Sequence, residues 1–348
     1  MSIAKQLSFR SDRSGGTGMF RWAITAAVLA MVVSVVAGCG GSAGAGSDKI
    51  ELALVAYSTP QAAYEQIIKA YQKTPQGKNI AFTKSFGGSG DQSRAVEAGL
   101  RADIVAFSLE PDMTRLVKPG LVAQDWNAGQ YKGMVTDSVV VIATRKDNPK
   151  NLRTWDDLAK PGVEVITPNP FTSGGARWNV MAGYGAKSAK NTDRAAGVTY
   201  LNALFRNVPV QDENARKSLQ TFISGKGDAI LAYENEAIFA QQSHQPLDYT
   251  VPDATILIEN PVAVTANSAH PAEAKAFLEY LYTPEVQKIF VNNGYRPVVD
   301  GVAANFPTPP GQFTITDLGG WSKVNSEFFD SKSGIMADIE RSIGVSVK

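Results

Sequence analysis

Residues 163–179 read VEVITPNPFTSGGARWN and join a predicted strand to a predicted helix through a loop of small and hydroxyl residues. The apolar run 163–167 is typical of a buried strand, and helical periodicity begins at Ala176. Ser173, Gly174 and Gly175 lie where that helix begins, and the first backbone N–H groups of a helix have no partner within it. Glycines let a ligand approach the backbone closely, and the helix end carries about half a positive charge. The segment therefore predicts an α/β unit with an anion site at a helix N-terminus.

Two further segments repeat this arrangement. FGGSG at 86–90 follows a predicted strand at 80–85 and opens a helix near Asp91, and YSTP at 57–60 links a strand at 50–57 to a helix at 61–72. Ser or Asp before a helix is usually an N-cap, and glycine at a strand–helix turn is usually geometric, so capping alone accounts for any one segment. Three such turns together favour a small-ligand site.

The rest of the chain alternates strand-like and helix-like segments. Strands are predicted at 103–107, 139–144, 163–167, 228–233 and 255–265. Helices are predicted at 92–99, 155–159, 176–185, 193–205, 236–242, 271–282 and 284–292. This βα alternation predicts an α/β fold with parallel-rich sheets flanked by helices.

The composition excludes several classes of function. The chain has 348 residues, with 34 Lys and Arg against 33 Asp and Glu, two His and one Cys. That length suits two lobes, and a single cysteine excludes an internal disulfide and a Cys-based zinc site. The nearly balanced charge gives no case for nucleic acid as a partner. A nucleophile elbow and a Walker loop both fail at required glycines, so we expect a protein that is not an enzyme and holds no metal or cofactor.

The N-terminus has the pattern of an export signal. Four basic residues precede an apolar run of 14 residues at 23–36, and small residues lead to Cys39. The run is shorter than the roughly 20 residues that span a bilayer, although a retained signal anchor is the alternative. The ending resembles the lipobox of bacterial lipoproteins, which implies a signal peptide at 1–38 and a lipidated Cys39 followed by a tether to residue 48. The mature chain would carry 30 basic and 32 acidic residues, so an anion site must be built locally.

Four strings carry a resemblance to a known family: GGSG at 87–90, ITPNPFTSGGARWN at 166–179, YENEA at 233–237 and GGW at 319–321. They resemble the sulfate-binding proteins of bacterial ABC importers, and the similarity runs from about Lys49 to the C-terminus. The resemblance implies a two-lobed periplasmic binding protein fold of type II with the ligand in the interlobe cleft. It places lobe I at 49–138 plus 262–306, lobe II at 139–261, and a C-terminal tail at 307–348 packed across both. Hinge crossovers are expected near 137–144 and 259–265.

The resemblance also implies the binding residues. It predicts ligand contacts for Ser58, Ser89, Ser173, Gly174, Gly175 and Ala215, mostly through backbone N–H groups. Tyr233 stands where the family usually has a tryptophan whose indole N–H donates to sulfate. A phenol can donate and accept, so a ligand contact and simple packing at a strand end are both open. Arg177 and Arg216 are predicted to orient the loops without touching the ligand.

The expected function is capture of sulfate, with thiosulfate as a further ligand, and delivery to the permease and ATPase subunits of an ABC importer. The protein would act as a monomer, anchored by lipid to the extracytoplasmic face of the cell membrane. Sulfate offers only hydrogen-bond acceptors, whereas phosphate keeps a proton at neutral pH, so a cage of donors favours sulfate. Asp91 must then point to solvent. The alternatives are another tetrahedral oxyanion, such as molybdate or phosphate, or a cell-surface hydrolase or sensor.

Overall fold

The computed structural model describes residues 49–347. The predicted signal peptide, the lipidated Cys39 and the tether lie outside the described residues, and they stay predictions. Among residues 49–347, no helix combines the length and the apolar character needed to cross a membrane.

The strands of the described residues join into one connected sheet in the order β2-β1-β3-β8-β4-β6-β5, with β7 and β9 also paired to β4. Their bounds are β1 Ile50–Tyr57, β2 Ile80–Gly87, β3 Ile104–Ala106, β4 Met134–Arg145, β5 Val165–Ile166, β6 Ala229–Tyr233, β7 Leu247–Thr250, β8 Leu257–Val264 and β9 Arg296–Pro297.

The helices cover the faces of this sheet, as the βα alternation predicts. Their bounds are α1 Gln61–Tyr71, α2 Ser89–Glu97, α3 Glu110–Val117, α4 Trp155–Leu158, α5 Gly174–Lys187, α6 Arg194–Arg206, α7 Ala215–Ile223, α8 Glu234–Gln242, α9 Pro271–Leu281, α10 Pro284–Asn292, α11 Gly320–Phe328 and α12 Ile335–Ser342.

The first βα unit illustrates why these residues fold as they do. The strand β1 reads IELALVAY and is buried from its third residue onward, between parallel neighbours β2 and β3. An apolar run of this kind is typical of a strand covered on both faces. The helix α1 then buries Tyr64, Ile67, Ile68 and Tyr71, a spacing that places all four on one side.

Two long strands connect the two groups of parallel strands. The strand β4 pairs with β8 through residues 136–139 and then with β6 through residues 140–144. The strand β8 pairs with β4 and then, from Val262, with β3. Each strand therefore belongs to both groups, at the positions where hinge crossovers are expected. The boundaries of the two lobes stay a prediction.

The C-terminal segment contains two helices, although its sequence has only weak local signals. The helix α11 begins at Gly320, and Gly319 and Gly320 have positive φ angles of 99° and 82°. The ring of Trp321 packs edge-on against Trp178 of α5 at a centroid distance of 4.7 Å. The apolar side of α12, with Met336 and Ile339 buried, belongs to the same core. The GGW string thus fixes the place where the chain docks onto α5.

Candidate functional site

A small cavity of about 10 Å³ lies at the ends of several strands. The residues of its wall follow the carboxyl ends of β1, β2, β3 and β6, or stand at the start of a helix. They are Tyr57, Ser58, Thr59, Gly87, Gly88, Ser89, Ser108, Ser173, Gly175, Asn214, Ala215 and Tyr233.

Several helices begin at or close to residues that line this cavity. The helices α2 and α7 begin with the lining residues Ser89 and Ala215, and α5 begins immediately after Ser173. The helix α1 begins two residues after Thr59. The first N–H groups of each helix lack intrahelical partners, and each helix end carries a partial positive charge. The arrangement can therefore offer an anion several neutral donors from separate parts of the chain.

The N-terminus of α5 is capped by Ser173. The Oγ atom of Ser173 accepts a hydrogen bond from the Ala176 N–H at 3.3 Å, and its own N–H donates to the Asn169 carbonyl at 2.9 Å. Accepting a bond leaves the hydroxyl hydrogen of Ser173 available to a ligand. Gly175 lines the cavity, whereas Gly174 is outside the lining set and packs closely against Ser108.

The hydroxyl of Ser89 is already committed within the protein. It donates to Asp112 Oδ2 at 2.6 Å and accepts from the Ser108 N–H at 2.9 Å. Ser89 can therefore serve an anion through its backbone N–H at the start of α2, and not through its side chain. Burial raises the pKa of Asp112, and the opposing effects of Arg177 and the Ser89 hydroxyl only partly offset it.

Ser58 and Ala215 line the cavity from opposite loops. Ser58 is buried in the turn between β1 and α1. Ala215 follows Asn214, whose side chain caps α7 by accepting from the Lys217 N–H at 3.0 Å. The cap leaves the Ala215 N–H at the open end of the helix, where the resemblance predicts a donor.

Tyr233 lies in the wall of the cavity, but its hydroxyl has a protein partner. The phenol oxygen lies 2.5 Å from Ser108 Oγ. A Cβ atom on Gly175 would lie 3.4 Å from the edge of the Tyr233 ring, so the ring packs over the start of α5. The structure thus directs the phenol toward another side chain of the wall.

The two arginines lie outside the wall and hold the loops that form it. Arg177 donates to the Pro170 carbonyl and to Asn325 of α11, both at 2.9 Å. Arg216 donates to the Thr59 carbonyl at 2.9 Å and pairs with buried Glu236 at 2.7 Å. Burial raises the pKa of Glu236 despite this pairing.

The wall of the cavity contains no Lys, Arg, Asp or Glu among the residues that the structure describes. Asp91, the nearest acid in sequence, forms an ion pair with Arg94 and its side chain is about half exposed, 49%. The expectation that Asp91 points to solvent is therefore confirmed. Within the described part of the chain, no cluster of His, Cys, Asp and Glu could hold a metal ion.

Sequence reasoning missed several members of the wall, above all Ser108. It follows β3 and precedes α3, which is the same strand–serine–helix arrangement as in the three segments recognised from the sequence. The signal was weak because Phe107-Ser108-Leu109 contains no glycine. Thr59 and Asn214 were missed although each adjoins a predicted binding residue.

These features define the class of bacterial extracellular solute-binding proteins, and the family model of that description matches residues 52–296. The chain is 41% identical to a sulfate-binding protein of Synechococcus elongatus over 88% of this chain and 92% of that protein. It is 33% identical to a thiosulfate-binding protein of Pseudomonas aeruginosa, covering 76% of this chain and 84% of the relative. The solved structure of the sulfate-binding protein SubI from Mycobacterium tuberculosis is 43% identical, with a TM-score of 0.79, and the match covers 81% of this chain and all of SubI.

The chain belongs to the family of bacterial sulfate-binding proteins. The predicted α/β fold of the two-lobed periplasmic binding proteins is confirmed.

Proposed function

We propose that this protein captures sulfate outside the cytoplasm, takes thiosulfate as a further ligand, and delivers both to an ABC importer. The observation that carries the proposal is a cavity whose wall has N–H and O–H groups but no charged side chain. The sulfate- and thiosulfate-binding relatives support the same choice of ligand.

Such a wall suits an anion that is fully ionised. Sulfate presents only acceptors, so every donor that faces it can form a hydrogen bond. Phosphate retains a proton at neutral pH and needs an acceptor, and a buried polar group without a partner costs about 1–3 kcal/mol. A carboxylate in the wall would accept the hydrogen bond from the phosphate O–H, and the lining residues include no carboxylate. The wall therefore favours sulfate over phosphate.

In the proposed site, separate loops each contribute hydrogen-bond donors to the same ligand. In this proposal the N–H groups of Ser58, Ser89, Gly175 and Ala215 and the hydroxyl of Ser173 donate to the ligand, and Gly174 supports the start of α5. All of these residues except Gly174 line the cavity. Closure of the two predicted lobes around β4 and β8 brings the loops together, and the closed form is the one that a transporter recognises. The role is binding without catalysis.

Calorimetric titration of the purified mature protein tests the choice of ligand. We expect heat with sulfate and thiosulfate, and much weaker binding of phosphate. A protein that is folded by circular dichroism but gives no heat with sulfate would contradict the proposal.

The anchoring of the protein is a separate proposal. Cys39 follows the export pattern, and attachment of a lipid to its thiol would hold the chain at the outer face of the cell membrane. Labelling of cells with radioactive palmitate should mark the wild type and leave Cys39→Ala unlabelled. Equal label in both would refute lipidation at Cys39.

A further inference from the structure

Ser108 and Tyr233 share a short hydrogen bond inside the cavity. Their hydroxyl oxygens lie 2.5 Å apart, and both residues line the cavity. Both are fully buried, with 0% and 1% of their surface exposed. The pair joins the ends of β3 and β6, which belong to the two groups of parallel strands.

The main-chain N–H and carbonyl of Ser108 both have hydrogen-bond partners within the protein, so neither is available to a ligand. Its N–H donates to Ser89 Oγ at 2.9 Å. Its carbonyl accepts from the Trp178 indole at 2.8 Å and from the Asn260 amide at 3.0 Å, which occupies both lone pairs. The hydroxyl is therefore the one group of Ser108 that can either donate or accept.

The direction of the hydrogen bond between Ser108 and Tyr233 decides whether Ser108 presents a donor or an acceptor to the ligand. If Tyr233 donates to Ser108, the serine hydrogen is left to donate into the cavity. If Ser108 donates to Tyr233, the serine offers the ligand only lone pairs. A phenol, with a pKa of about 10, is a stronger donor than an aliphatic alcohol, which favours the first direction. Burial raises the pKa of Tyr233 well above its ordinary value, so the phenol keeps its proton.

We infer that Ser108 donates its hydroxyl hydrogen to the bound oxyanion, and that Tyr233 fixes the direction of this donor by donating to Ser108. Tyr233 is then a positioning residue, and the pair selects fully ionised over protonated oxyanions. The inference rests on the proposed function. In the family, a tryptophan at the position of Tyr233 usually donates to sulfate. In this protein Ser108 takes that donor role.

A double-mutant cycle tests the inference by calorimetry with sulfate and phosphate. Ser108→Ala should weaken sulfate binding about 10- to 100-fold, because a hydrogen bond to a charged group is lost. Tyr233→Phe should weaken it only about 3- to 10-fold and should lower the ratio of sulfate to phosphate affinity about tenfold, since the serine can then accept. In the Ser108→Ala background, Tyr233→Phe should have no further effect, because the phenol acts through the serine.

Two variants serve as matched controls. Ser218→Ala removes a fully buried serine hydroxyl in α7, and Tyr200→Phe removes a buried phenol that packs against Trp155. Neither hydroxyl has a hydrogen-bond partner among the described residues, and neither residue lines the cavity. Both should keep wild-type affinity for sulfate, and thermal unfolding should show that all variants are folded.

The possible outcomes distinguish a failure of the proposed function from a failure of the inference about Ser108 and Tyr233. A wild-type protein that binds no sulfate overturns the proposed function and this inference with it. If the wild type binds sulfate but the two substitutions are additive, or Ser108→Ala leaves the affinity unchanged, the inference alone is overturned. A Tyr233→Phe variant with an unchanged ratio of sulfate to phosphate affinity also refutes the positioning role.

Discussion

Replacement of Gly174 by alanine should prevent full closure of the cavity. The added methyl group would lie 2.7 Å from Ser108 Oγ and 2.8 Å from Leu109 Cδ2. Ordinary contacts begin near 3.4 Å, so the start of α5 and the segment after β3 would have to separate by about 0.7 Å, and closely packed protein interiors resist such shifts. The backbone of Gly174 has no positive φ, so alanine adds no strain of its own.

The affinity loss follows from the cost of overpacking, which is typically about 1–3 kcal/mol. Gly174 and Ser108 belong to different predicted lobes, so the ligand-free protein can avoid the overlap by opening. The whole cost then falls on the ligand-bound form, and sulfate binding should weaken about 5- to 150-fold. Calorimetric titration measures the affinity, and thermal unfolding without ligand should give nearly the wild-type midpoint.

Gly129→Ala is the matched control. A Cβ atom there has no described heavy atom within 4 Å, and its φ is not positive, so affinity and stability should both stay unchanged. If Gly174→Ala binds sulfate as tightly as the wild type, the close approach of α5 to Ser108 is not required for binding. A large fall in the unfolding midpoint without ligand would show that opening does not relieve the overlap.

Four other substitutions give distinct outcomes. Ser173→Ala should weaken sulfate binding about tenfold in calorimetry, whereas Asp193→Ala, which uncaps α6 away from the cavity, should lower the unfolding midpoint and keep the affinity. Asp91→Asn should change affinity less than about twofold, because solvent and Arg94 screen that carboxylate; a tenfold gain would mean that it repels the ligand. Burial and Glu259 raise the pKa of Asp137 to about 7, so wild-type stability should fall as the pH rises from about 4 to 7. Asp137→Asn should remove on the order of 2–4 kcal/mol of this fall, and identical unfolding curves at about pH 5 and pH 8 for both proteins would contradict it.

The sequence predicts the fold class well because apolar periodicity is a local property. The run 50–57 and the periodic residues after Pro60 identify β1 and α1 without reference to the rest of the chain. The helices α3, α7, α11 and α12 were not predicted. The helix α3 spans only eight residues and includes Pro111, and the C-terminal helices are stabilised by docking such as that of Trp321 on Trp178.

The candidate site was predictable only in part. Gly-Ser strings mark the turns near Ser89 and Ser173 because those turns need small residues. Whether a side chain is available to the ligand depends on hydrogen-bond partners that are distant in the sequence. Asp112 accepts from the Ser89 hydroxyl, and Ser108 pairs with the Tyr233 phenol. Local sequence carries no information on such pairs, which lie 23 and 125 residues apart.

The neutral wall of the cavity has a consequence for the conditions in which the protein can work. Dissolved ions weaken attraction between exposed charges over a Debye length of about 10 Å at 0.1 M ionic strength. Buried main-chain dipoles next to a ligand are shielded from those ions by the protein itself. A protein exported to surroundings of variable salinity would therefore hold its cargo almost equally well in dilute and in brackish water.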